Sequence, residues 1–333
     1  MNRIFVFFLP LFIVASCSMD EQRKFLYLEG FTQGTSYHIA YNSPDSIDYH
    51  GELKEIFRDI DNSMSIYNPS SIISEINNNE AGGEADDYFI TVFERAQEIS
   101  EITGGAFDIT VGPLVNAWGF GFTERENITP GLIDSLLQFV GWDKVRLEGR
   151  SVVKDHHGVM LDMNSIAKGY TVDVVAEFFD SRGITDYMIE IGGEIRLKGT
   201  NKDNNMWRVG IDKPIEDPAA VSRELQEIVQ LTGKSLATSG NYRKFYVKDG
   251  QRFAHTIDPV SGYPVQHNLL SATVVTSTAK DADAWATAFM VMGPEKSMEL
   301  ARSKPDLEAY LIYDIDGISA VAYTEGFGEM IRK

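Results

Sequence analysis

The chain has 333 residues, 43% of them hydrophobic, 11% aromatic and 24% charged, which excludes a small disulfide scaffold, a disordered tail and a fibrous repeat. Its 30 Lys and Arg against 49 Asp and Glu give a net charge of −19, a field that repels a nucleic-acid backbone. Any phosphate ligand would then need a divalent cation to screen it.

Residues 1–16 carry Arg3 and then an apolar run over 4–15, interrupted only by Pro10. Twelve residues are too few to cross ~30 Å of hydrocarbon as a helix, and the pattern predicts an export signal, with no later segment long enough to span. It ends in Val14-Ala15-Ser16-Cys17, which resembles the lipobox of bacterial lipoproteins. Cys17, the one cysteine, is the predicted lipidation site; no internal disulfide is possible, and residues 17–24 would be the tether. Residues 25–333 form the expected folded domain.

Residues 25–41 alternate apolar and polar around Gly30 and Gly34, which predicts strands with a kink or bulge. Leu53, Ile56, Phe57 and Ile60 recur at helical spacing within 47–60. After the Gly-rich acidic stretch 81–87 comes a second helix, with Phe89, Phe93, Ala96 and Ile99 on its apolar face and Gly104-Gly105 as its stop. Thr129 and Pro130 open a short helix as N-cap and N1 residue, with Leu132, Leu136 and Leu137 on one face. Residues 152–161 read as a strand pair, 165–182 as a helix and 187–191 as a buried strand halted by Gly192-Gly193. The segments 207–211, 225–231, 243–247, 253–257 and 269–275 are short and β-rich, which favours antiparallel sheet. A helix over 278–292 ends at Gly293, Pro294 starts another, and 310–323 is a hairpin turning at Asp316-Gly317. The fold class expected is α+β, with mixed, largely antiparallel sheets, packed helices and two intimate halves whose seam lies near 199–205.

Four groups of residues could carry chemistry. Asp283 and Thr287, four apart on a helix, put two hard oxygens on one face, an edge suited to Mg²⁺; alternatively the pair is a dipole-favoured Asp and a Thr bonded to its own turn. Asp162 to Asp173 runs from a strand end into a helix N-terminus, where backbone N–H groups and Lys168 could hold a phosphate and a carbonyl near Ser165 could face a cation. Blandly read, Asp162 caps a helix and Lys168 is solvated. Gly192-Gly193-Glu194 permits close approach of a ligand or only a tight bend. His255 and Asp258 could pair as a base and its orienting partner, or His255 could be structural. Motifs for serine-hydrolase, P-loop and Rossmann chemistry are missing from the sequence.

Taken together, the segments resemble the ApbE family of bacterial flavin transferases across nearly all of the mature chain. The blocks are Gly34-Thr35; Met64-Ser65-Ile66-Tyr67 with Ser74 and Asn77; Gly104-Gly105-Ala106-Phe107-Asp108 on to Val115; and Trp118-Gly119-Phe120-Gly121. They continue with the Asp162 to Asp173 block, Gly192-Gly193, Thr238-Ser239-Gly240, the His255 to Pro264 run, and Ala282-Asp283-Ala284 with Thr287. The resemblance implies Mg²⁺-dependent splitting of FAD, transfer of FMN to a threonine (or serine) hydroxyl of an exported target flavoprotein such as a membrane redox-complex subunit, and release of AMP. It implies Asp283, Thr287 and the Ser165 carbonyl as metal ligands. It implies flavin contacts from Gln33, Tyr67, Ala106, Phe107, Asp108, Asp162, Lys168 and the stretch reaching Ile257. Tyr67 could stack on the isoalloxazine, shape the adenine side or belong to the core. His255 or Asp258 is the candidate proton acceptor. Gln33 stands where the family usually has methionine, and Glu194 where aspartate is commoner. Two other readings are an Mg²⁺-dependent FAD pyrophosphatase and a non-catalytic FAD-binding lipoprotein. The expected location is the periplasmic side of a bacterial inner membrane, held by the lipid anchor, with no nucleic-acid partner.

Overall fold

The computed structural model describes residues 23–80, 84–121, 126–215, 224–241, 245–248 and 251–332; the export signal and Cys17 lie outside them. In chain order the elements begin with β1 (Phe25–Thr32), β2 (Thr35–Asn42), α1 (His50–Met64), α2 (Ile72–Asn77), α3 (Asp87–Thr103), α4 (Gly112–Ala117) and α5 (Pro130–Leu137). Next come β3 (Val145–Glu148), β4 (Ser151–Lys154), α6 (Ala167–Ser181), β5 (Tyr187–Ile191), β6 (Glu194–Lys198), β7 (Trp207–Asp212), β8 (Leu225–Leu231) and β9 (Lys234–Gly240). The last are β10 (Phe245–Lys248), β11 (Gln251–Ala254), β12 (Leu269–Thr276), α7 (Ala279–Met292), α8 (Pro294–Ser303), β13 (Glu308–Ile315), β14 (Ile318–Tyr323) and α9 (Glu325–Met330).

An eight-stranded antiparallel sheet in the order β1-β2-β5-β6-β9-β12-β13-β14 forms the frame, and the fold is α+β. Strand periodicity sorts its two faces. Tyr37, Ile39, Ile189, Ile191, Ala237, Val274 and Leu311 face the layer of α1, α3, α6 and α7. Their neighbours Ala40, Leu197, Leu236, Val275, Tyr310 and Ile312 face the β7–β8 hairpin and Phe327 of α9. A fourth cluster, with Leu114, Trp118, Ile133 and Ile257, packs the α4–α5 region against the segment after β11. Residues 199–205 join β6 to β7, while the sheet itself continues from β6 directly to β9.

Local chemistry explains most boundaries. Thr129 and Thr278 cap α5 and α7 through their hydroxyls, Asp86 caps α3, and Gly104 ends α3 in the left-handed conformation. Three expectations are corrected. The β1–β2 register is unbroken, with no bulge: Gly34 serves the turn, and Gly30 is bare because a Cβ there would meet the Tyr37 ring at 2.5–2.8 Å. The strand pair expected over 152–161 is instead β3 with β4; beyond Lys154 only Met160 makes a bridge, to Val111. In the short α5, Ile133 is the buried residue and Leu136 and Leu137 flank it.

Candidate functional site

The β1–β2 turn, the β5–β6 turn, the N-terminus of α6 and the end of β9 meet beside the first half of α7. The meeting depends on a close helix crossing. A Cβ on Gly169 would lie 2.3 Å from the Ala279 carbonyl oxygen and 2.8 Å from Asp283 Cβ, so only glycine lets α6 and α7 approach this closely. At the crossing the Gly169 N–H donates to Asp283 Oδ2 at 3.0 Å. Helix α6 has no side-chain cap of its own, and Asp283 supplies the acceptor from 114 residues away. Ala167 N–H bonds Met163 O at 2.9 Å and Tyr170 N–H bonds Ile166 O at 3.0 Å, but the Gly169 N–H that would reach the Ser165 carbonyl goes to Asp283, which leaves that carbonyl outside the ladder. One turn along α7, Thr287 Oγ1 lies 3.4 Å from Ser239 Oγ on β9. The two stretches nominated as metal-ligating thus adjoin.

A second aspartate fixes the same crossing. Asp173 on α6 accepts the N–H groups of Ala279 and Lys280, both at 2.9 Å, and pairs with Arg196 at 2.5 Å. It caps α7 in trans as Asp283 caps α6.

Lys168 is the electrostatic hub. Its Nζ is 3.2 Å from Glu194 Oε1, and Asp283 and Asp162 add to the field that raises its pKa against the opposing effect of burial. Desolvation pushes the carboxyls of Asp283, Asp162 and Glu194 upward, Glu194 to about 8, with Lys168 pulling the other way. When all three are ionised, as a bound cation favours, three carboxylates around one ammonium leave two negative charges in a poorly solvated place. A divalent cation is the simplest complement, and Asp283, the Thr287 hydroxyl and the Ser165 carbonyl are the hard oxygen donors that suit Mg²⁺. The residues present fit such an ion.

Of the flavin-contact candidates, Asp162 joins this hub through the field at Lys168, and Gln33 reaches Thr171 on the same helix. Gln33, at φ +49 in the β1–β2 turn, donates its Nε2–H to Thr171 Oγ1 at 2.8 Å and leaves Oε1 buried without a hydrogen-bond partner among the described residues. Asp162 is anchored from both sides: its N–H reaches the Ile109 carbonyl at 2.7 Å, and its Oδ1 accepts Asn164 N–H at 2.9 Å. Asn77 clamps the preceding residue by bonding both the N–H and the carbonyl of Leu161, at 2.7 and 2.8 Å. Tyr67 is 66% exposed, which removes it from the core; partial desolvation raises its phenol pKa, and the Asp162 charge adds to the rise. Ala106, Phe107 and Asp108 follow the α3 stop. Phe107 is core, while Asp108 Oδ1 accepts from the N–H and hydroxyl of Thr110, both at 2.7 Å. Asp108 lines a cavity of about 250 Å³ with Gly105, Gly141, Trp142 and Val260. Ile257 is buried beside Trp118 and Leu114.

His255 is half-buried after β11 with its ring edge-on to Phe120, centroids 6.4 Å apart. Asp258 holds a turn: its Oδ1 accepts Val260 N–H at 2.9 Å and its carbonyl accepts Gly262 N–H at 2.8 Å. Trp118 Nε1–H donates to the Gly262 carbonyl at 2.9 Å and ties this turn to α4.

Sequence reasoning gave Asp173, Asn77 and Gly169 only a place within family-like blocks, and Glu194 only a place after the double glycine where aspartate is commoner. The first three act across 80 to 115 residues of chain, a distance over which no periodicity speaks; an unexplained buried-type Asp in mid-helix was the one available signal for Asp173.

Residues 33–311 match the family model described as ApbE family. The FAD:protein FMN transferase of Haemophilus influenzae is 38% identical over 317 residues, covering 91% of this chain and 90% of its own length. That of Vibrio cholerae is 36% identical over 320 residues, 94% of each. The solved structure of the flavin transferase ApbE from Vibrio cholerae superposes with a TM-score of 0.83 at 34% identity, covering 92% of this chain and 99% of the other.

Proposed function

The chain belongs to the ApbE family and is a transferase, and from that premise we propose that it carries out Mg²⁺-dependent transfer of FMN from FAD to a protein hydroxyl. The acceptor threonine (or serine) oxygen attacks the FMN-side phosphorus of FAD. An O–P bond forms there, the bond from that phosphorus to the bridging oxygen breaks, and AMP leaves with that oxygen. The observation that carries this reading is the α6–α7 crossing, where Asp283 meets the Gly169 N–H beside Lys168. Held by Asp283, Thr287 and the Ser165 carbonyl, Mg²⁺ would neutralise diphosphate oxygens and make the phosphorus more electrophilic.

The chain's own groups do the rest. Lys168 and the α6 N-terminus offset phosphate charge, which reconciles an anionic substrate with a −19 protein. Tyr67, Gln33, Asp162 and the Ala106–Phe107–Asp108 loop bind the flavin dinucleotide. His255 accepts the proton of the attacking hydroxyl; the Asp258 carboxylate already receives Val260 N–H and builds the turn that follows. The target is an exported flavoprotein. Export and diacylation at Cys17 would hold the enzyme on the periplasmic side of the inner membrane; among the described residues no helix is long and apolar enough to cross one. Recovery of a Cys17→Ala variant still wholly in the membrane fraction would contradict the anchor.

The test is incubation of the protein with FAD, Mg²⁺ and an acceptor domain, followed by denaturation and measurement of flavin fluorescence on the acceptor. Covalent FMN with equimolar AMP is the expected result, and His255→Ala should lower its rate while FAD binding persists. Free FMN and AMP would identify a pyrophosphatase, and unchanged FAD a binding protein.

A further inference from the structure

Three residues on one side of β6 reach α6: Glu194 to Lys168 at 3.2 Å, Arg196 to Asp173 at 2.5 Å and Lys198 to Asp180 at 2.9 Å. Alternation along the strand puts positions 194, 196 and 198 on the same side, so the three pairs have the form of one helix-to-sheet clamp. Two of them are complete as such. Asp173 has both carboxylate oxygens engaged, by Arg196 and by two backbone N–H groups. The Lys198–Asp180 pair is open to water on both partners.

Glu194 is different. It is 5% exposed, and its Oε2 has no hydrogen-bond partner among the described residues. A buried carboxylate oxygen left bare costs free energy that one ion pair does not return, so a residue needed only to hold Lys168 would be better placed in water. Lys168 is also shared, since Asp283 and Asp162 act on the same ammonium. The Gly192-Gly193 turn, with φ of +64° and +104°, delivers Glu194 to this spot; a Cβ on Gly192 would lie 3.3 Å from Oε2 and 2.7 Å from the Thr35 methyl.

We propose that Glu194 is a positioning residue of the transfer site: it fixes the Lys168 ammonium near Asp283 and supplies part of the negative charge that a divalent cation there must balance. This rests on the metal-dependent reading above. The carboxylate charge, not the shape of the side chain, is what the site uses. Glutamine keeps the shape and an acceptor oxygen but loses both the grip on Lys168 and the charge, whereas aspartate keeps the charge on a shorter arm.

The experiment titrates the full chain with Mn²⁺ by electron paramagnetic resonance, with Mg²⁺ as competitor, and follows thermal unfolding in EDTA. Glu194→Gln should weaken Mn²⁺ binding by about tenfold or more, the range found for groups that support metal ligands. Measured above pH 8, where the Glu194 carboxyl is ionised without a cation, its unfolding temperature in EDTA should equal or exceed that of the parent, because an unbalanced buried charge has gone. Glu194→Asp should keep most of the affinity. Unchanged Mn²⁺ affinity in Glu194→Gln, or affinity and unfolding temperature falling together in both variants, would overturn the proposal. Asp283→Ala separates the two levels: if the parent binds Mn²⁺ and Asp283→Ala does not, the metal reading stands and Glu194 is judged alone. A parent that binds no Mn²⁺ would overturn both.

Discussion

At the scale of single residues, the site depends on one missing methyl group. Alanine at position 169 would gain about 1 kcal/mol of helix propensity over glycine. The new Cβ would lie 2.3 Å from a backbone carbonyl oxygen, which cannot swing aside as a side-chain tip can. Overpacking of that kind costs about 1–3 kcal/mol, so the clash wins. Gly169→Ala is therefore expected to lower stability in denaturant titrations and to weaken divalent-cation binding together, because the Gly169 N–H moves off Asp283. Stability at or above the parent with cation affinity intact would contradict the close crossing. That Asp283 and Thr287 share one face of a helix was legible in the sequence, because residues four apart adjoin on it, while their role as metal ligands comes from the family resemblance. Gly169 was not, since helical spacing says nothing of which neighbour a helix will touch. Tyr67 shows the opposite case: sequence left it between core and ligand contact, and exposure decides against the core.

At the scale of elements, α6 and α7 cap one another. Asp283 of α7 takes an N–H of α6, and Asp173 of α6 takes two N–H groups of α7. Each carboxylate sits where a helix N-terminus favours negative charge, and each sets the position of the other's helix. Asp173→Asn breaks a buried pair with Arg196 and should cost about 3 kcal/mol, within the range for removing one partner of such a pair. Asp180→Asn, on the exposed pair with Lys198, should cost under about 1 kcal/mol. Chemical unfolding of the two variants measures the contrast; equal costs would mean that Asp173 is only one more surface ion pair. A cap supplied within a helix's own sequence, such as Thr129, could be read in advance because the hydroxyl precedes the helix it serves. Caps supplied in trans could not. For the same reason β9 is not among the β-rich segments read from sequence: pairing with β12 on one side and β6 on the other is what makes Lys234–Gly240 a strand.

At the scale of the whole molecule, the antiparallel sheet carries the argument. Alternation along the β-rich segments and the helix between Thr278 and Gly293 sufficed to foresee an α+β fold. The order of the eight strands was beyond sequence, because β6 pairs with β9 across an intervening hairpin and that choice is made by burial on both faces. The consequence is functional. Turns from the N-terminal strands and side chains from α7, far along the chain, arrive at one end of one sheet, so the candidates from both halves of the sequence share one frame.

The most direct test of the account is the covalent flavin formed on an acceptor domain by Asp283→Ala, measured beside the parent with FAD at equal occupancy and Mg²⁺ in excess. Acid-stable FMN is expected on the acceptor with the parent and none above background with the variant. Full Mg²⁺-dependent labelling by Asp283→Ala would contradict it.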